Sequence, residues 1–539
     1  MEHQSKNLVI FSDGTGNRGG VTNDTNVWRL YQMVSSQKHN QLTFYDDGVG
    51  TSNIGLFKML SGALGIGLSH NIKQMYEFLV RNYHSGDKIY LFGFSRGAYT
   101  VRCLLGLLNK RGLVNRYKPL NDENGCASLK NEDALRAEIK HNFDLYRSDD
   151  PEEQDKDRDG NTYPVTAEFI GVWDTVDAVG MPIDELKAID LFIWKIRGKR
   201  AFTFNDRTLR GVKYARQALA IDDERRTFHP NYWLGCSTEI DMEQVWFVGM
   251  HSNVGGSYPK DGLAYVTLEW MIEEIRQLNL GLLLPQEQVD DVRNHANAHD
   301  KMYDSRSGFA VFYRYAPRNL LSIRWGKNSF WFRQFSKYNW FMGFSIMKQV
   351  NQAGPKIKVH QSVWRRIVRG TGNYAPLFVH DDVTFAHTAN SKSPYSEESL
   401  IGDFPKLSTQ MPTPIETDID DIEKEVSKKQ AAYLVFVSFA ISLIIHFVFF
   451  VDKPSPVDSF GARFFKNFTP DLLSTFVDKL FSNPILSTLS LATLIGLYAY
   501  STQLNKVITT KSRRAWVKAI SGYLPCMKST NSADHQEDG

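Results

Sequence analysis

The feature that most narrows the fold of this chain is a recurrence of short apolar runs, each stopping at glycine or a polar residue. Asn7 to Ser12 (NLVIFS) runs into Asp13-Gly14-Thr15-Gly16-Asn17, and Leu42 to Tyr45, Lys88 to Phe94 (KIYLFGF), Ala167 to Trp173 (AEFIGVW) and Gln244 to Met250 (QVWFVGM) repeat the pattern. Runs that are apolar throughout, rather than on alternate residues, suit strands covered on both faces. Helix-length patterns lie between them, among them His70 to Tyr83 and Ala98 to Asn109. Strand and helix in alternation predict an α/β fold built on a mostly parallel sheet, whose ligands bind beyond the C-terminal ends of the strands.

One of these strand ends carries chemistry. Gly93-Phe94-Ser95-Arg96-Gly97 is a G-x-S-x-G pentapeptide placed after KIYLFGF and before a helical pattern. In an α/β-hydrolase-like sheet the two glycines allow a sharp strand-to-helix turn that presents the serine, and the next residue's N–H, here that of Arg96, faces the developing oxyanion. A serine hydroxyl needs a histidine to take its proton and a carboxylate to orient that imidazole. The chain order in such folds is Ser, Asp or Glu, His. Asp174 ends AEFIGVW and His251 ends QVWFVGM, so both are expected at the same sheet edge as Ser95. Asp177, Asp222 and Asp223 compete for the acid, and His229, His360, His380 and His387 for the base. A second oxyanion donor is expected from the N–H of Gly14 or Thr15 after the first strand, the alternative there being an Asx-type turn with no catalytic part.

No cofactor is required by this constellation. Asp155, Asp157 and Asp159, followed by Gly160, resemble the first half of a calcium loop, but the twelfth position is Thr166 and not Glu, so calcium is a secondary expectation beside a solvated acidic loop. The formal net charge of +3 carries no field that would single out nucleic acid as a partner. The four cysteines, Cys103, Cys126, Cys236 and Cys526, are scattered without a C-x-x-C pair, which fits a reducing compartment and neither a disulfide framework nor a zinc site. The N-terminus lacks the pattern of a secretory signal peptide.

Residues 1–400 are expected to form the hydrolase domain, with an aromatic and basic cap or insertion at about 285–400 that includes Trp325, Phe330, Trp331, Trp340 and Arg333. Residues 401–430 read as an acidic linker. Ala431 to Val451 is an uncharged run about as long as the roughly 20 residues that cross a bilayer as a helix, and Pro484 to Tyr500 is shorter but equally free of charge. Residues 431–503 therefore predict a transmembrane helical hairpin, followed at 504–539 by a basic, then polar, tail. Lys424, Lys428 and Lys429 before it and Lys506, Lys511, Arg513, Arg514 and Lys518 after it place both ends on the cytoplasmic side.

SDGTGN at 12–17, TNVWRL at 25–30, YDDGVGT at 45–51, IYLFGFSRGAYTVR at 89–102, GVWDTVDAVG at 171–180, ALAIDDERRTF at 218–228 and WFVGMHSNVGGSY at 246–258 together resemble the α/β-hydrolase domain of type VI secretion phospholipase effectors. The similarity covers roughly residues 7 to 280. It implies a Ser-Asp-His esterase acting on glycerophospholipid acyl esters, with family motifs falling on Ser95, Asp174 and His251. It also implies an immunity or inhibitor protein as a partner, and export as an effector. The function expected is a membrane-tethered serine hydrolase cleaving lipid or phospholipid acyl esters. The alternatives are an esterase on a soluble substrate and a non-catalytic membrane-bound binding or assembly protein on a hydrolase scaffold.

Overall fold

The computed structural model describes residues 4–14, 23–36, 40–48, 64–116, 132–147, 162–176, 208–318, 358–377, 384–386, 414–447, 478–479 and 481–520. The Asp155 loop, Thr15, Asp177, His380, His387, Cys126, Cys526 and the aromatic run from 319 to 357 lie outside them.

The strand-like runs become one parallel sheet. Its strands are β1 (Asn7–Ser12), β2 (Gln41–Asp46), β3 (Lys88–Phe94), β4 (Ala167–Trp173), β5 (Val212–Ala220), β6 (Asp241–Phe247), β7 (Lys358–His360) and β8 (Thr384–Ala386), in the spatial order β8-β7-β6-β5-β4-β3-β1-β2. β7 and β8 come from within residues 285–400, so the sheet itself continues into the region expected to form a cap or insertion. Three residues each, they are too short to carry a readable pattern.

Apolarity on both faces has a direct cause in the packing. Leu8 and Ile10 of β1 and Ile89 and Leu91 of β3 point into one core, where α2 (Leu64–Asn82), α3 (Arg96–Arg111) and α4 (Glu132–Arg147) contribute Leu68, Ile72, Leu104, Leu107 and Ile139. The intervening Val9, Phe11, Tyr90 and Phe92 point into a second core with Val27 and Leu30 of α1 (Asn26–Ser35) and Trp270 and Met271 of α6 (Gly262–Gln277). Each such side chain, fully removed from water, contributes roughly 1.5–3 kcal/mol of hydrophobic stabilisation. Because α1 covers one face and α3 the other, the connections leaving the adjacent strands β1 and β3 diverge. Parallel sheets bind their ligands at such a divergence, beyond the C-terminal ends of the strands, and Ser95 follows β3 there.

The chain divides into two compact units: Met1–Tyr313 with Pro317–Gly372 and Phe378–Pro412, and Arg314–Ala316 with Asn373–Leu377 and Thr413–Gly539. The second unit is built on two long helices, α9 (Glu416–Ile445) and α10 (Pro484–Ile520). Both are long and apolar enough to cross a membrane. Residues from Glu416 onward, read from composition as the end of a linker, form the polar first half of α9. Glu425 pairs with Lys511 (2.9 Å), Lys429 with Asn505 (2.7 Å) and Asp418 with Lys518 (3.4 Å), a register that makes the helices antiparallel and joins their polar halves. The same polar half holds two short pieces of earlier chain. Lys429 lies over the Tyr315 ring at 3.9 Å, and the Trp516 indole donates to the Pro376 carbonyl at 2.7 Å. The other half exposes Val435, Ile441, Ile444, Leu489, Leu491 and Ile495, apolar area of the kind that marks contact with something other than water.

Candidate active site

Ser95 sits at the turn between β3 and α3 with φ 58° and ψ −122°, a backbone conformation that L-residues rarely adopt and that costs on the order of 1–3 kcal/mol. The neighbouring glycines make the turn sterically feasible. A Cβ on Gly93 would lie 2.7 Å from the Ala98 nitrogen, and one on Gly97 only 2.1 Å from the Ser12 carbonyl oxygen. The Ser95 N–H donates to the Trp173 carbonyl at 3.0 Å, tying the turn to β4.

His251 opens the short helix α5 (His251–Gly255) just after β6. Its Nε2 is 2.7 Å from Ser95 Oγ and its Nδ1 is 2.6 Å from Asp174 Oδ2. The ring leans on Phe94 (centroids 4.7 Å apart) and meets Phe228 edge-on at 5.0 Å. A neutral imidazole fits this network with Nδ1–H donating to the carboxylate and Nε2 accepting from the serine hydroxyl. Three residues remote in sequence thus form one hydrogen-bonded chain at one sheet edge.

Asp174 is fully buried and fully engaged. Oδ1 accepts from the Ala220 N–H (3.0 Å) and from Arg318 Nη1 (2.7 Å), while Oδ2 accepts from His251 and from Arg318 Nη2 (2.8 Å). Burial alone would push this carboxyl up, but the Arg318 guanidinium, with His251, holds it below the usual carboxylate range. His251 is itself lowered, first by burial and also by the Arg225 charge, against the opposing pull of Asp174. Arg318 has no counterpart among the residues singled out from sequence. It lies in an aperiodic stretch and belongs to no motif, so only folding reveals it beside Asp174.

The competing acids do other work. Asp222 accepts the Gly249 N–H at 2.6 Å, and Asp223 accepts the His251 backbone N–H at 3.1 Å while pairing with Arg225 at 2.7 Å. They brace the turn that carries His251 without reaching its ring nitrogens. Of the other described histidines, His360 stacks on Phe247 and caps α8 (Gln361–Arg369). Arg96 is the first residue of α3, where backbone N–H groups have no partner within the helix; burial lowers its guanidinium to about 10. The Gly14 N–H donates to Asp13 Oδ1 at 2.6 Å and would reach an oxyanion only by leaving that bond. Among the described residues no group of three or more His, Cys, Asp or Glu side chains is arranged to hold a metal ion.

A comparison with known families decides the identity of the domain: residues 6–274 match the catalytic domain of type VI secretion, Tle1-like phospholipase effectors. This domain belongs to that family. The matched limits enclose Ser95, Asp174 and His251 but not Arg318. The uncharacterised protein YEL023C of Saccharomyces cerevisiae is 27% identical over 207 residues, covering 34% of this chain and 28% of that protein, so the chain spans under a third of this relative's length. Two solved structures share low similarity. An uncharacterised protein from Pseudomonas aeruginosa is 17% identical (TM-score 0.31, 55% of this chain, 49% of that one). A bifunctional GH43-CE protein from Bacteroides eggerthii is 11% identical (TM-score 0.24, 51% and 34%).

Proposed function

We propose that this chain hydrolyses acyl esters of glycerophospholipids through an acyl-Ser95 intermediate, and that its helical hairpin holds it to a membrane. The observation that carries the reading is the relay of His251, 2.7 Å from Ser95 Oγ and 2.6 Å from Asp174 Oδ2. His251 Nε2 takes the Ser95 proton as Oγ bonds to the ester carbonyl carbon, and Asp174 stabilises the resulting imidazolium. The tetrahedral oxyanion faces the Arg96 N–H, with a second donor from the loop after β1, Gly14 or Thr15. Collapse breaks the bond to the alcohol, which leaves with the proton from His251. Water then enters, gives its proton to His251 and its oxygen to the acyl carbon, and Ser95 recovers its proton as the fatty acid departs.

The apolar halves of α9 and α10 support the membrane reading. The 17 residues from Pro484 to Tyr500 rise about 25 Å as a helix, close to the thickness of a hydrocarbon core. A lipid substrate and a membrane anchor fit one another.

A fluorophosphonate probe should label the wild type and not Ser95→Ala, and phospholipid vesicles should be cleaved faster than short-chain nitrophenyl esters. Labelling that survives Ser95→Ala would remove the mechanism, and the opposite substrate preference would remove the lipid assignment. The full-length chain should stay in carbonate-washed membranes; its release by carbonate would remove the anchor.

A further inference from the structure

We propose that Arg318 is a positioning residue of the Ser95-His251-Asp174 relay: it locks the Asp174 carboxylate in the orientation that faces His251, and by sharing that carboxylate's charge it sets how basic the imidazole is. The inference rests on the reading of Ser95 as nucleophile and deepens it.

The geometry is that of a fork on a carboxylate. Nη1 and Nη2 each reach one Asp174 oxygen, at 2.7 and 2.8 Å, and each also donates to a main-chain carbonyl, of Ala220 and Phe228 respectively. The guanidinium is therefore fixed from both sides, in a side chain that is 1% exposed. An ionised carboxylate offers about four lone-pair sites, and four donors meet Asp174: Ala220 N–H, His251 Nδ1 and the two arginine nitrogens. Rotation of the carboxylate would break bonds on both oxygens at once, so Oδ2 stays on His251. Stability is a poor explanation for such an arrangement. A buried ion pair seldom stabilises more than apolar side chains of the same volume, and Arg318 Nε, also buried, has no partner among the described residues.

The charge matters as much as the orientation. Around the imidazole stand Asp174 beyond β4, Asp223 and Arg225 beyond β5, the Ser95 hydroxyl beyond β3, and Arg318; Tyr258 and Tyr313 face Arg225. Two anions thus meet two cations around His251. Without Arg318 the balance tips negative. An Asp174 that stays ionised makes His251 more basic, and an Asp174 that yields to its dry surroundings and protonates no longer supplies the charge that stabilises the imidazolium. Both outcomes raise the pH below which Ser95 lacks a working base.

The test measures kcat/KM against pH, per fluorophosphonate-labelled site, for the full-length wild type, Arg318→Gln, Arg318→Lys, Asp174→Asn and the Asp174→Asn/Arg318→Gln double variant. Arg318→Gln should lose roughly 10- to 100-fold at the plateau, less than the roughly 10,000-fold that follows a neutralised triad aspartate, and its acid limb should move up by about one pH unit. Arg318→Lys should restore part of both, because an ammonium keeps the charge without the two-pronged fit. The double variant should be no slower than Asp174→Asn alone, since the arginine acts through that carboxylate. A plateau loss with an unmoved acid limb, or losses that multiply in the double variant, would reduce Arg318 to a structural residue. Should Arg318→Gln fail to fold, Arg318→Lys decides: its acid limb must move the same way by a smaller amount, and an unmoved limb overturns the proposal. Failure of the Ser95 reading looks different, as a wild type labelled no better than Ser95→Ala.

Discussion

Two groups of buried or half-buried carboxylates lie at the same edge of the same sheet and are held in opposite ways. Beyond β4 and β5, Asp174 and Asp223 meet arginines, and the cations keep both below the ordinary carboxylate range in spite of burial. At the ends of β1 and β2, Asp13 and Asp46 meet only neutral donors among the described residues. Thr25 and Tyr45 hydroxyls bond Asp13, and Ser12 and Asn71 bond Asp46. There burial wins: the Asp13 carboxyl is pushed up to about 6, and Asp46 is raised as well. What a carboxylate does at this edge depends on the charge of its partner more than on its depth. The arginine-held pair lies against a histidine, whereas the hydroxyl-held pair ties the ends of β1 and β2 together near the Ser95 turn.

The contrast can be pressed with substitutions of decreasing effect. Ser95→Ala and His251→Ala, which remove the proton path itself, should each lower turnover by several orders of magnitude, and combining them should add little. Additive losses in the pair would mean that the two side chains do not act as a unit. Asp174→Asn should be somewhat milder, near 10,000-fold, because serine and imidazole remain while the tautomer is lost; normal turnover in this variant would move the acid elsewhere. Asp223→Asn leaves the largely enclosed Arg225 side chain without its counter-charge, and urea unfolding should show about 3 kcal/mol of lost stability. A loss within 1 kcal/mol would show that Arg225 finds another partner. Asp13→Asn tests the other group. The native Asp13 carboxyl is raised above its unfolded value, so its stabilising effect is complete below about pH 4 and is lost as the pH rises through about 6, by roughly 2–3 kcal/mol. The asparagine variant should lack that slope, and an unchanged slope would place the titration on another group. Asp174 and Asp223 have the opposite sign: their contribution is complete above the ordinary carboxylate value and fades as acid protonates them.

The sequence discloses this site unevenly. Strands β1, β3, β4 and β6 are readable because burial on both faces demands apolar runs, and a side chain of the relay, Ser95, Asp174 or His251, follows each of the last three. Which of Asp174, Asp222 and Asp223 touches the imidazole is fixed by turn geometry that chain order constrains but does not determine. Arg318 leaves no periodic or motif signal, because its partner is brought to it only by tertiary packing. The stretch from Glu416 to Gln430 looks like a linker by composition. It is helical because its charges find partners along the helix, as in Asp421 with Lys424, and across to α10, as in Glu425 with Lys511.

The positive φ at Ser95 gives the fold an odd relation to its own activity. Every L-residue at that turn bears the same conformational penalty, and glycine alone escapes it. Ser95→Gly would therefore produce a protein with no nucleophile and a more relaxed turn, one that outlasts the native chain on heating. Endurance and the proposed chemistry thus ask for different residues at the same backbone angle.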